Sequence, residues 1–341
     1  MEKSPTQFDF IAIGDIVTDA FIRLKEAEVH TDIRPAERQI CMRFGDKIPY
    51  ESVTVVPAVG NSPNAATSAA RLGLRTALVT DLGDDLGGHH CLERLKENGV
   101  ATDFVRVHSG IKTNYHYVLW FQDDRTILIK HEEYPYALPG PANGRASIGE
   151  PRWVYLSSLG ANSLPYHGAI TDYLENHPSI KLAFQPGTFQ IKLGPAKLPR
   201  LFKRSEIFFC NVEEAKRILK REAGGVLELL RALSELGPKI VVITDGPKGA
   251  YAYYHNEAWF MPPYPDPRPP QNRTGAGDAF ASTFTAALVL GKGVPEALTW
   301  APINSMSVVQ KVGAQAGLLT RAELEKYLAE APPEYKLKIL V

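Results

Sequence analysis

Cysteine is scarce: Cys41, Cys91 and Cys210 are the only three in 341 residues. Far apart and odd in number, they offer neither a metal-ligand spacing nor a disulfide framework, and a reducing, cytoplasmic setting is expected. An excess of either charge is also absent. Lys+Arg and Asp+Glu both number 38, for a formal net charge of +0. That balance leaves no electrostatic case for nucleic acid or an anionic membrane. No apolar run approaches a membrane span. The opening stretch MEKSPTQFDFIAIGDIV is interrupted by Asp15 and is too short and polar for a signal peptide. Internal repeats and low-complexity linkers are missing. So are a G-x-x-x-x-G-K-[ST] phosphate loop and the catalytic loop of protein kinases, which disfavours those phosphotransferase classes. What remains is ordinary: 44% hydrophobic and 22% charged residues, enough for a sizeable core. The length suits one large α/β domain with a small addition.

Phe8 to Ile13 is a nearly continuous apolar run, as expected of a strand buried on both faces. Gly14-Asp15 ends it, and Asp19 follows, either as an acceptor for a ligand hydroxyl or as a solvated or capping aspartate. Gly60-Asn61-Ser62-Pro63-Asn64 opens an Ala-rich helix, where Asn61 and Asn64 can bond a ligand or cap the helix. Strands over 76–80 and 104–107 flank a helix over 86–98, a βαβαβ alternation that favours parallel strands. The alternation resumes with strands at 153–156, 180–184, 206–209 and 239–244, separated by helices near 166–176, 212–222 and 225–236. A hairpin over 250–261 turns at His255-Asn256. Asn211 and Glu214 read as a capping box. Thr244-Asp245-Gly246-Pro247-Lys248-Gly249 reads as a tight turn. A helix over 295–310 contains Pro302, which predicts a kink or early break, and 320–330 is a closing helix.

Two stretches interrupt this pattern. Residues 21–56 are polar with short β-like pieces. In 112–131, Tyr115, Tyr117, Leu119 and Phe121 alternate with Asn114, His116, Val118 and Trp120 before a hairpin turn at Gln122-Asp123-Asp124. The two should form one small sheet, with the aromatic stripe as packing. His30, His116 and His131 have no metal spacing and read as ordinary polar or lining residues.

The stretch NRTGAGDAFASTFTAALVLG, Asn272 to Gly291, is a polar turn that feeds a buried helix. Its N-terminus offers free N–H groups and a positive dipole end, suited to an anion. Gly275 and Gly277 allow close backbone approach. Asp278, just inside the helix, is either a favourable capping charge or a group that takes a proton from an incoming hydroxyl.

Taken in order, Gly14-x-x-x-x-Asp19, Gly60-Asn61-x-x-Asn64, Asn211-x-x-Glu214, Thr244-x-Gly246-x-x-Gly249 and Thr274-Gly-Ala-Gly-Asp-Ala-Phe280 resemble the ribokinase family (PfkB-type carbohydrate kinases), from Phe8 to about Leu319. The resemblance implies a ribokinase-like α/β fold: a mostly parallel central sheet flanked by helices, with a small β-sheet lid. The main domain would comprise 1–20, 57–111 and 132–341, and the lid 21–56 and 112–131. Asp278 would be the general base, and Gly275, Ala276 and Gly277 the anion hole for the transferring phosphoryl. Asp19, Gly60, Asn61 and Asn64 would hold the acceptor. Thr244, Gly246, Gly249 and Asn304 would bind ATP, with Asn304 near the adenine. Asn211 and Glu214 would serve Mg²⁺ through water. The implied activity is ATP- and Mg²⁺-dependent phosphorylation of a hydroxymethyl group on a sugar or sugar acid. The alternatives are a nucleoside kinase of the same family and a catalytically silent scaffold of that fold. The partner would be a small-molecule acceptor, with a homodimer through the lid and neither nucleic acid nor membrane.

Three departures from the family pattern stand out. Val59-Gly60 replaces paired glycines, and Gln185-Pro186-Gly187 replaces Asp-x-Asn. Asn272-Arg273 replaces the Asp-Thr that opens the late motif, and the lost Asp belongs to a monovalent-cation site in the family. A K⁺ requirement is therefore not expected. Arg273 either turns inward toward nucleotide phosphates or points to solvent.

Overall fold

The computed structural model describes residues 8–30, 39–122, 124–221 and 223–341. The remaining residues include the start of the main domain and of the opening stretch, the middle of the first interruption, Asp123 of the hairpin turn, and Glu222, the last residue of the helix expected over 212–222. Those expectations lie outside the described residues.

The chain opens with strands β1 (Phe10–Ile13), β2 (Val17–Leu24), β3 (Glu28–His30), β4 (Gln39–Cys41) and β5 (Tyr50–Val59), then helix α1 (Asn61–Arg71). Next come β6 (Thr76–Gly83), α2 (Leu86–Glu97), β7 (Val100–Ala101), β8 (Val105–His108), β9 (Tyr115–Phe121) and β10 (Asp124–Leu128). The central part comprises β11 (Trp153–Leu156), α3 (Leu164–Asn176), β12 (Lys181–Phe184), α4 (Thr188–Lys197), α5 (Pro199–Arg204), β13 (Ile207–Asn211), α6 (Val212–Leu219), α7 (Val226–Ser234) and β14 (Ile240–Thr244). The last part comprises β15 (Ala250–Tyr254), β16 (Glu257–Met261), α8 (Ala276–Val289), α9 (Val294–Val309), α10 (Arg321–Ala329) and β17 (Lys338–Ile339).

An 11-stranded sheet runs in the order β17-β16-β15-β14-β13-β12-β11-β1-β6-β7, with β8 also on β6. The strands from β14 to β7 are parallel, and β15, β16 and β17 continue antiparallel. Both faces are covered, and the sequence explains how. Successive side chains point to opposite faces. Phe10 and Ala12 therefore join the apolar cluster under α1, α8 and α9, while Ile11 and Ile13 join the cluster under α3, α6 and α7. β14 does the same, with Ile240 and Val242 on one side and Val241 and Ile243 on the other. This double burial is why these strands read as continuous apolar runs rather than alternating ones. The β15–β16 hairpin turns through His255 (φ 51°) and Asn256 (φ 65°), the paired left-handed residues of a tight two-residue turn.

The strand order reverses at β1, which has β6 on one side and β11 on the other. Ligands in open α/β sheets bind beyond the carboxyl ends of the strands at such a switch point. Gly14, Gln185, Asn211 and Thr244 lie at or just past those ends.

A second, four-stranded sheet has the order β10-β9-β2-β5. The two interruptions thus share one small sheet, but β3 and β4 of the first pair apart from it as a two-stranded sheet, and the first is wider than expected. β2 begins at Val17, ahead of 21, and β5 reaches Val59, beyond 56. The aspartates at 15 and 19 obscure the strand in the sequence, because no apolar run marks it. One further expectation fails, and two helices were not expected. α9 passes through Pro302 without a break; it is packed against α8 and the sheet, and tertiary packing overrides the local preference of one proline. Between β12 and β13 the chain forms α4 and α5, which carry no clear periodicity because Gly194 and Pro195 break the run.

Candidate active site

Asp278 sits in the first turn of α8 and is buried, 9% exposed. Three side-chain amides surround its carboxylate. Asn61 Nδ2 donates to Oδ1 at 2.7 Å, Gln185 Nε2 donates to Oδ1 at 3.1 Å, and Asn64 Nδ2 donates to Oδ2 at 2.8 Å. The amides come from α1 and from the loop after β12. They are fixed in turn: Gln315 Nε2 donates to Asn64 Oδ1 at 3.0 Å, and the Tyr155 hydroxyl donates to Gln185 Oε1. Burial pushes the Asp278 pKa up, the amide hydrogen bonds act against that, and the charge of Asp19 adds to it. A buried carboxylate with a raised pKa is a stronger proton acceptor than an exposed one.

Asn61 and Asn64 therefore do something the sequence reading did not include. Neither caps α1, whose N-cap is Gly60 with no side-chain bond; both hold Asp278. Gln185 was noted only as a departure, yet it completes the cage. Gly60 has φ 119°, and a Cβ there would lie 2.9 Å from the Asp15 carbonyl oxygen. That close approach is why the chain has glycine at this entry.

Gly275, with φ 82°, is the N-cap of α8, and a Cβ on it would fall 2.4 Å from the Ala314 Cβ. No side chain caps this helix, so its first N–H groups face the cleft with Ala276 and Gly277. A Cβ at Gly277 would meet nothing within 4 Å, because that position opens onto the cleft. The cleft, of about 500 Å³, is lined by Thr244, Gly246, Gly249, the proline-rich segment 263–266, Arg273, Phe280, Ser305, Met306 and Val309. The segment PPYPDPRPP forms one wall; its proline run was the available signal, and it passed unread. Arg273 faces the cleft, whereas Asn272 is buried and its Oδ1 accepts the Thr274 N–H at 2.8 Å.

Asn304 is not in the cleft. It is fully buried: Nδ2 donates to Thr283 Oγ1 at 2.8 Å, and Oδ1 accepts the Leu319 N–H at 3.0 Å. At about 100° per residue along α9, Pro302, Ser305, Met306 and Val309 face the cleft and Asn304 faces the core.

Asn211 and Glu214 form the expected reciprocal box, with the Asn211 N–H to Glu214 Oε2 at 2.9 Å and the Glu214 N–H to Asn211 Oδ1 at 2.9 Å. Strand pairing sets Asn211 beside Thr244. Burial raises the Glu214 pKa, the Asn211 backbone bond and Arg217 oppose this, and the charge of Asp278 adds to it. Glu214 is half-buried. Mg²⁺ beside nucleotide phosphates is held by one or two carboxylates and water rather than by an all-protein cage, and this pair fits that role.

Asp19 lies on β2, in the lid rather than in a loop. It is buried, with its Oδ1 3.3 Å from His116 Nδ1. That oxygen and His116 Nε2 have no hydrogen-bond partner among the described residues. Asp15 accepts from the Tyr136 hydroxyl at 2.8 Å and lies 3.2 Å from His131 Nδ1. Burial first, then Asp15, pushes the Tyr136 pKa up. The His116 and His131 rings are 5.2 Å apart, so the Asp19–His116 and Asp15–His131 pairs are neighbours. Asp15 and Tyr136 were not singled out, and no sequence motif marks them.

A family model described as pfkB family carbohydrate kinase matches residues 28–321. A ribokinase of Bacillus subtilis is 28% identical over 294 residues, 84% of this chain and 92% of that protein. The 5-dehydro-2-deoxygluconokinase 1 of Bacillus cereus is 25% identical over 348 residues, 96% of this chain and 97% of that protein. The structure of Arabidopsis thaliana ribokinase complexed with ribose and ATP superposes with a TM-score of 0.78 at 20% identity, covering 95% of this chain and 99% of that one.

Gly275→Ala should lower unfolding stability in urea by more than about 1 kcal/mol, since both the positive φ and the Ala314 contact oppose a Cβ. Asn304→Ala should lose about 1–3 kcal/mol for its unpaired partners yet leave the KM for ATP unchanged. A raised ATP KM in a folded Asn304→Ala variant would restore it to the nucleotide site.

Proposed function

The chain belongs to the pfkB family of carbohydrate kinases, and on that premise we propose that it transfers the terminal phosphoryl of ATP to a hydroxymethyl group of a sugar or sugar acid, with Asp278 as general base. The observation that carries this reading is the buried Asp278 carboxylate at an uncapped, glycine-bracketed helix start. The carboxylate takes the hydroxyl proton. The N–H groups of Ala276 and Gly277 meet the charge on the transferring group, a role that pre-aimed donors fill without reorganising. Thr244, Gly246 and Gly249 line the side that would take the nucleotide. Asp15, Asp19 and the two histidines offer acceptors and donors to the acceptor's other hydroxyls. Asn211 and Glu214 would hold Mg²⁺ through water, and bound Mg²⁺ neutralises phosphate charge. The named relatives, a ribokinase and a sugar-acid kinase, favour sugars and sugar acids over nucleosides.

ADP release over D-ribose, D-fructose, D-gluconate, 2-keto-3-deoxy-D-gluconate, 5-dehydro-2-deoxy-D-gluconate and adenosine tests this reading and separates it from a silent scaffold. Asp278→Asn should keep the fold and ATP binding and lower kcat by about 10²–10⁴-fold. Turnover near wild type in that variant would remove Asp278 from the base role.

Two finer points follow. Asn272 spends its oxygen on the Thr274 N–H, and an amide lacks the charge that offsets dehydration of a cation. Activity should therefore be the same in KCl and in tetramethylammonium chloride at equal ionic strength. A tenfold activation by K⁺, about 1.4 kcal/mol, would contradict this.

On the lid, strand register puts Val53, Val55, Tyr117 and Leu128 on one outer face, at 50%, 53%, 48% and 51% exposure. The aromatic pair Tyr115 and Tyr117, with ring centroids 5.2 Å apart, faces outward rather than packing within the core. An apolar sheet face of this kind suits a second copy of the chain. Val53→Lys with Val55→Lys should convert a dimer to monomer in sedimentation velocity. A wild-type chain that sediments as a monomer at all concentrations would end that assignment.

A further inference from the structure

Gln315 lies in the loop between α9 and α10 and is buried. Its Nε2 donates twice, to the Ala58 carbonyl oxygen at 2.6 Å and to Asn64 Oδ1 at 3.0 Å. Asn64 Nδ2 in turn donates to Asp278 Oδ2 at 2.8 Å. The loop is tied down from α1, where Arg71 Nη1 donates to the Gln315 carbonyl at 2.9 Å and to the Leu318 carbonyl at 2.8 Å. Ala58 is the last residue but one of β5, where the lid rejoins the main domain. Its φ is 60°, a left-handed conformation that a residue with a Cβ seldom adopts. Such an outlier persists only where its surroundings hold it. Here side chains hold both of its polar backbone groups, since the Ala58 N–H donates to Cys91 Sγ of α2 at 3.2 Å and its carbonyl accepts from Gln315. The two residues before Gln315 also touch the site's frame. A Cβ on Gly313 would lie 3.4 Å from Val56 Cγ2 of β5, and Ala314 is the residue that a Cβ on Gly275 would strike.

A side-chain amide has a donor end and an acceptor end and can face either way. The Ala58 carbonyl can only accept, and so can an ionised carboxylate at Asp278. Two amides stand between these fixed acceptors, and one arrangement satisfies all four groups. Gln315 turns its NH₂ to Ala58 and Asn64, Asn64 turns its oxygen to Gln315, and the Asn64 NH₂ is left facing Asp278. We propose that Gln315 is a positioning residue for the phosphoryl transfer: through Asn64 it keeps a hydrogen-bond donor on the Asp278 carboxylate, and it takes its own orientation from the carbonyl at the inner end of lid strand β5. The proposal rests on the sugar-kinase reading for the role of Asp278. The Asn64 bond to Asp278 is therefore referred to the lid junction, whereas the Gln185 bond is referred to Tyr155 of the central sheet. The charges that act on Asp278 belong to Asp19 of β2 and Glu214 of α6, and the Tyr155 hydroxyl reaches it through Gln185. α1 and the loop after β12 face it with neutral amides. A change at Gln315 removes none of these groups.

The test is the pH dependence of kcat/KM in Gln315→Met and Gln315→Glu, on whichever acceptor of the panel above is turned over, with folding checked by thermal melting. A donor on the carboxylate favours its charged form, so loosening Asn64 raises the Asp278 pKa and the base stays protonated to higher pH. Gln315→Met removes the donors without adding charge, and the acid limb should move up by about one pH unit. Gln315→Glu sets oxygens against two acceptors and should move it at least as far. The plateau at high pH should stay within about threefold of wild type, because the base itself is intact. In an Asn64→Ala background Gln315→Met should shift the limb no further, since the two act as one unit. Should the Met and Glu variants not fold, Gln315→Asn, which keeps the amide and shortens its reach, is read in the same way. An unmoved acid limb in folded variants overturns the proposal, and so does a lowered plateau without a shift. A shift of equal size in the Asn64→Ala background overturns it as well. If the wild type turns over none of the panel, the sugar-kinase reading fails on its own. The positioning role is then judged by carbon-13 NMR titration of the Asp278 carboxyl, the signal lost in Asp278→Asn. That signal must titrate at higher pH in Gln315→Met than in the wild type, and the same titration in both would overturn the role.

Discussion

Everything at this site depends on keeping one carboxylate charged in a dry place. Removing Asp278 from water costs several kcal/mol. Each amide that donates to it returns about 1.5–3 kcal/mol, and three do so. The two sums nearly cancel, and the raised pKa says that burial still wins. The cost also explains the layout, for the three donors can reach Asp278 only if α1, the end of β12 and the start of α8 converge.

The sheet brings about that convergence. Its parallel strands put their carboxyl ends on one edge, and the reversal at β1 leaves a crevice there. α1 and α8 pack over the same face of the sheet, and α8 is anchored beneath by Phe284, which meets Phe209 of β13 edge-on at 5.7 Å. Glycine is needed where the backbone must bend into this crevice, at Gly60 and Gly275. In both places a side chain would collide with neighbouring atoms rather than with solvent. The uncapped start of α8 then gives the crevice its positive end.

The lid adds the rest of the chemistry. It sets Asp19 beside His116 on one face of the small sheet, and on our proposal these two meet the acceptor. Its two faces divide the work. The inner face carries charge and imidazole, and the outer one carries valine, tyrosine and leucine. A closing element built this way couples the removal of water from the pocket to the arrival of polar groups.

Much of this was legible in the sequence. The α/β alternation followed from unbroken apolar runs, since strands buried on both faces need apolar residues at every position. The uncapped helix start at Gly275 with Asp278 in its first turn, and the Asn211–Glu214 box, followed from local spacing, because a cap is made by residues three apart. Other features were decided only by the tertiary structure. Asn61 and Asn64 serve Asp278 from over two hundred residues away, and nothing local distinguishes that from capping. Gln185 reads as an ordinary loop residue until β12 places it. Asn304 missed the cleft because the phase of α9 against its neighbours, not its identity, turned it inward. β2 was hidden because Thr18 and Asp19 break its apolar pattern, and only pairing with β5 and β9 makes it a strand. Local chemistry shows itself in the chain. Partnership across the fold depends on packing, which brings distant residues within three ångströms of one another.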